Sequence, residues 1–118
     1  MHNKNHNKTA SVKRFESEVA DIGSIISGDT GVNLHHVIGE RAYHNKIHIG
    51  VWWILPVSPA EHDMIDNDEG RKELEAYYQL ENPVRFDLEK YLYIALLDLL
   101  PENIVPVEVF EAIQAYRR

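Results

Sequence analysis

Among its 118 residues the chain has no cysteine. That excludes disulfides and thiolate metal sites, and it fits a cytoplasmic protein. No apolar run approaches the roughly 20 residues of a membrane span, so no membrane segment is expected. Residues 1–8 are rich in Asn, His and Lys and lack the apolar stretch of a signal peptide. Positive charge is also scarce, with 12 Lys and Arg against 19 Asp and Glu, a net charge of −7. This argues against a protein that coats nucleic acid by electrostatics alone. Beyond the first eight residues there is no low-complexity tract, and no internal repeat is found anywhere.

What is present is ordinary globular material: 44% of residues are hydrophobic and 26% charged. That composition supports one core, and the length supports one domain rather than two. We therefore expect an N-terminal arm over residues 1–8, flexible by its composition, and a single domain over residues 9–118. The charge is uneven. Residues 1–59 hold six Lys and Arg against five Asp and Glu, whereas residues 60–118 hold six against fourteen, so +1 is followed by −8.

Hydrophobic spacing gives the elements. Val12, Phe15, Val19, Ile22 and Ile26 recur at three- and four-residue steps, predicting an amphipathic helix from about residue 9 or 11 that Gly28 and Gly31 stop. Residues 32–37 predict a short strand and residues 51–57 an apolar second one, with a polar loop over residues 39–50 between them. A helix follows from Pro59 to about residues 67–70, and another stretch covers residues 71–80. Asn82 and Pro83 read as an N-cap and first helical position for a helix running to Leu100, which Pro101 ends. Pro106 opens the last helix. The expected fold is a small α+β domain, one hairpin among four or five helices.

Two clusters carry the chemistry. In Leu34-His35-His36, adjacent strand residues point to opposite faces, so one ring can hold a metal while the other faces a substrate. In Ser58-Pro59-Ala60-Glu61-His62-Asp63-Met64-Ile65-Asp66, Ser58 and Glu61 have capping-box spacing and Pro59 falls where a missing N–H costs nothing. The helix they start puts His62 and Asp66 one turn apart on one face. Read alone, each cluster has a plainer account: histidines hydrogen-bonded in a core or on a solvated edge, and acidic residues on a wet helix face. Together, a strand-borne His pair and a helix-borne His-x-x-x-Asp make a three-ligand site with a spare base. Trp52 and Trp53 read as core packing rather than a base-stacking platform.

This arrangement resembles the HNH, or ββα-metal, endonucleases, over roughly residues 30–68. Leu34-His35-His36 looks like their first strand, Trp53-Ile54-Leu55-Pro56-Val57-Ser58 like the second, and His62-x-x-x-Asp66 like the metal-binding helix. The nuclease colicins carry His-x-x-x-His there, so Asp66 is a ligand exchange; the run from 53 to 66 is also similar to the phage recombination-enhancement nucleases. Two departures stand out. The family's usual Asn or His near the start of the second strand is replaced by Trp52 or Trp53, leaving His44, Asn45 or His48 as substitutes, and the Cys-x-x-Cys zinc knuckle that many members carry is missing.

The resemblance implies a ββα-metal core with further helices around it. It also implies a phosphodiester hydrolase acting on DNA, of phage or bacterial kind. His35, His62 and Asp66 would hold one divalent ion (Mg, Mn, Ni or Zn), and neutral His36 would act as general base. Arg41 and Lys46, in the loop between the strands, would meet the nucleic-acid backbone. The alternative is a catalytically inactive HNH-like interaction module, or an acidic DNA mimic that inhibits a nucleic-acid-binding protein, with the acidic helices of residues 71–118 as the surface for a protein partner.

Overall fold

The structure is a computed structural model, and it describes residues 8–117. The arm expected over residues 1–8 lies outside these except for Lys8, whose ammonium donates to the Glu16 carboxylate and lies 3.7 Å from that of Glu40. Among the described residues there are five helices and two small antiparallel sheets of two strands each, so the α+β class holds. No described helix is long and apolar enough to cross a membrane.

Helix α1, Ala10–Ile22, starts where the Thr9 hydroxyl accepts a hydrogen bond from the Val12 N–H, and it buries Val12, Phe15 and Val19. It ends one turn short of the periodicity. Gly23 sits at φ +83°, and a Cβ there would lie 3.0 Å from the carbonyl oxygens of Gly28 and Asp29. Ile22 thus ends the helix, and Ile25 and Ile26 pack from a turn instead.

Strands β1, Asn33–His36, and β4, Ile54–Val57, pair antiparallel with His35 opposite Leu55 and His36 opposite Ile54. Both are shorter than the apolar runs suggest. Residues 51–53 are buried but form a turn, because the N–H groups of Trp52 and Trp53 both donate to the Ile49 carbonyl, at 2.9 and 3.0 Å. The expected polar loop contains its own hairpin, β2 Tyr43–His44 and β3 Ile47–His48. Its turn residues Asn45 and Lys46 have φ of +50° and +69°. A two-residue turn of this hand suits Asn but normally has Gly in second place, so Lys46 hides the signal.

Helix α2, Pro59–Asp66, carries the full capping box. Ser58 Oγ accepts from the Glu61 N–H at 3.1 Å, and Glu61 Oε1 accepts from the Ser58 N–H at 2.8 Å. Asn67 ends it and at once caps α3, Asp68–Tyr77, by accepting from the Gly70 N–H at 2.7 Å. The helix expected from residue 71 therefore starts three residues earlier. Helix α4, Asp87–Leu97, begins later than Asn82-Pro83 suggests: Asn82 has φ +48°, and Phe86, at φ +75°, is the N-cap. Pro106 is the N-cap of α5, Val107–Ala115.

The core is continuous across these elements. Phe15 and Val19 of α1, Ile54 to Val57 of β4, and Leu88, Leu92 and Leu96 of α4 are buried together. Trp53 is fully buried and Trp52 is 8% exposed, so both are packing residues, as the composition suggested. The buried Tyr93 hydroxyl donates to the Trp52 carbonyl at 2.6 Å, fixing α4 to the turn that leads into β4. These contacts hold β4 rigid. Through β1 on one side and α2 on its far end, they also hold the histidines.

Candidate metal centre

β1 and α2 are brought together by separate devices. The strand is aligned by its ladder with β4. The helix is anchored at its first turn by Glu61, buried at 8% exposure, which accepts from Ser24 Oγ at 2.6 Å as well as from Ser58. Burial acts to raise the Glu61 pKa, but hydrogen bonds from Ser24, Ser27 and Ser58 outweigh it and hold the carboxyl below its ordinary range. Glu61 thus stays a carboxylate that ties the start of α2 to the turn after α1. His62 is the next residue, so this lock positions the backbone that carries it.

The three side chains meet as their spacing implied. One ligand atom each from His35, His62 and Asp66 lies within 4.8 Å of the others. The His35 and His62 rings are 4.3 Å apart, tilted by 50°, and His62 Nε2 is 3.2 Å from Asp66 Oδ2. A partly exposed His–Asp pair one helical turn apart contributes only about 0–1 kcal/mol to stability. Stability alone therefore does not account for a second imidazole brought against it. Two imidazoles and a carboxylate are, however, a donor set suited to a divalent ion, and three protein ligands leave coordination positions open. This group could hold a metal ion. Imidazole–metal bonds of about 2.0–2.1 Å need only small side-chain rotations from the observed spacing.

Electrostatics prepares the site for this. Burial, and then the neighbouring His62, push the His35 pKa below its ordinary value of 6.5, leaving a neutral ligand at neutral pH. A depressed folded-state pKa means that the unfolded chain takes up the proton first. Its stabilising effect is present above pH 6.5 and is lost as pH falls through the lower folded value. In EDTA, the urea midpoint of the protein should therefore drop as pH falls below 6.5, and His35→Gln should drop less steeply. Parallel curves for the two proteins would refute this cause.

His36 is not part of the group. It follows His35 on the pleat, is half-buried, and its Nε2 is enclosed with no hydrogen-bond partner among the described residues. Arg41 and Lys46 are exposed on the excursion between the strands, and neither lines the cleft that opens beside the trio. That cleft, about 450 Å³, is lined instead by Arg71 and Arg85 together with His35 and Asp66. Arg71 grips Glu89 with both terminal nitrogens, at 2.7 and 2.6 Å, and reaches the Ile65 carbonyl at 3.2 Å. Bonded so, with its pKa raised chiefly by Glu89, it braces the end of α2 against α4. Neither arginine is visible as a site residue in local spacing, because residues 71 and 85 reach the trio only through tertiary packing.

Compared with protein-family profiles, with curated proteins and with solved structures, the chain matches none.

Proposed function

We propose that the protein is a metal-dependent hydrolase of phosphodiester bonds in DNA, working in the manner of the HNH endonucleases. The observation that carries this reading is the convergence of His35 from β1 with His62 and Asp66 from α2, beside an open polar cleft. The order of elements supports it too: two antiparallel strands followed directly by a capped helix that carries two of the three ligands. In this reading β1, β4 and α2 are the ββα-metal core, and the hairpin β2–β3 is an insertion between its strands.

His35, His62 and Asp66 hold one divalent ion, whose charge, when bound, stabilises the developing negative charge on phosphate and leaving oxygen. His35 is kept neutral by burial, so protons compete weakly with the ligand role. His36 is the general base and accepts the proton of the attacking water. Glu61 keeps the helix end in place and takes no part in proton transfer.

A second reading rests on the acidic half of the chain, which carries −8 over residues 60–118. It makes the protein an inactive interaction module or a DNA mimic. Plasmid nicking separates the two. Purified protein should convert supercoiled plasmid to the open circle with at least one of Mg²⁺, Mn²⁺, Ni²⁺ or Zn²⁺, and EDTA should abolish the conversion. No nicking with any of the four ions would reject the hydrolase in favour of the interaction module.

A further inference from the structure

We infer that Arg85 is the residue that receives a backbone phosphate of the nucleic acid in the cleft beside His35 and Asp66. The inference rests on the hydrolase reading and names a phosphate contact different from the hairpin cations. It starts from the two arginines that line the cleft. Arg71 is committed: both terminal nitrogens are bonded to the buried Glu89, and Glu75 lies 3.7 Å from its Nε. Arg85 is exposed and makes no ion pair among the described residues. Its guanidinium carbon lies 4.9 Å from the centre of the Phe86 ring. An arginine resting on an aromatic face keeps its in-plane N–H fork free for a planar or tetrahedral anion.

The backbone beside it is held in a conformation that needs a reason. Phe86 has φ +75°, a left-handed geometry that is unfavourable for a bulky residue. It is maintained because the ring is buried against Trp53 and Tyr116, at 5.4 Å from each. This turn sets residue 85 on the rim of the cleft rather than within the first turn of α4. A straight helix from Asn82-Pro83 would have placed Arg85 inside that first turn. The strained residue thus sits where a cation is presented to the site, the pattern expected when strain has a use.

Charge decides when the cleft accepts an anion. Asp66, Asp68 and Glu75 also line it, so without a cation on the trio a phosphate is repelled. With a divalent ion bound, that repulsion is offset, and Arg85 is the uncommitted side-chain cation of the cleft. A phosphate is then gripped from two sides, by the ion and by the fork of Arg85.

The test uses fluorescence anisotropy of a short labelled DNA duplex at several salt concentrations, with the divalent ion that supports nicking. All proteins carry His36→Ala so that the duplex is not consumed. Added Arg85→Ala should weaken binding on the order of tenfold to a hundredfold, the loss of one charge-assisted contact. It should also lower the slope of log affinity against log salt by about 0.9. Arg85→Lys should recover the slope and only part of the affinity, and calorimetry should find metal binding unchanged in both. Unaltered affinity and slope in Arg85→Ala with metal still bound would overturn the Arg85 assignment and leave the hydrolase standing. So would a larger slope change from Arg41→Ala or Lys46→Ala, which would put the phosphate at the hairpin. A chain that binds no metal overturns the hydrolase and this contact with it.

Discussion

His62→Ala should abolish both metal-linked stabilisation and plasmid nicking. In the proposed site the residue supplies one of three ligands, with the His35 ring of β1 4.3 Å away and Asp66 Oδ2 3.2 Å from its Nε2. At a metal concentration a hundredfold above Kd, an ion that binds only the folded chain adds about 2.7 kcal/mol. For a domain of this size that is a rise in Tm on the order of 10 °C. The wild type should show this rise and His62→Ala should not, while their melting temperatures in EDTA stay close. The ring is partly exposed, its side chain 34% accessible, so its removal leaves no cavity in the core. Equal shifts in the two proteins would remove His62 from the metal site.

His36→Ala should separate the two effects, with activity lost and metal retained. A general base contributes typically about 10²–10⁴-fold to rate, so nicking should fall by that range with the metal-induced Tm shift intact. His36 stands outside the trio, and no hydrogen bond ties its Nε2 to the protein among the described residues. An equal loss of metal affinity in His36→Ala would mean that His35 and His36 have exchanged roles.

The trio is legible in the sequence because each half of it is a local pattern. Strand alternation separates His35 from His36, and the Ser58–Glu61 capping box fixes the phase of α2, hence His62 and Asp66 on one face. The closing of strand on helix then follows from the short link Ser58 between β4 and α2. The missed parts all depend on backbone that the residue types do not announce. Lys46 and Phe86 occupy left-handed conformations without being glycine, so the hairpin β2–β3 and the late start of α4 left no signal. Residues 51–53 look like strand because they are apolar, but burial in a turn satisfies the same composition. The Arg71–Glu89 brace and the place of Arg85 arise from α3 and α4 converging on the cleft, 18 residues apart in the first case.

The trio itself is tested most directly by calorimetric titration of EDTA-treated wild-type protein with Mn²⁺, Ni²⁺ and Zn²⁺ near neutral pH. The expected result is one ion bound per chain for at least one metal, with binding weakened as pH falls, because protons compete for the two imidazoles. The same titration of His35→Ala should show no binding at that site. Saturable one-to-one binding that survives unchanged in His35→Ala would contradict the assignment, as would wild-type protein that binds none of the three.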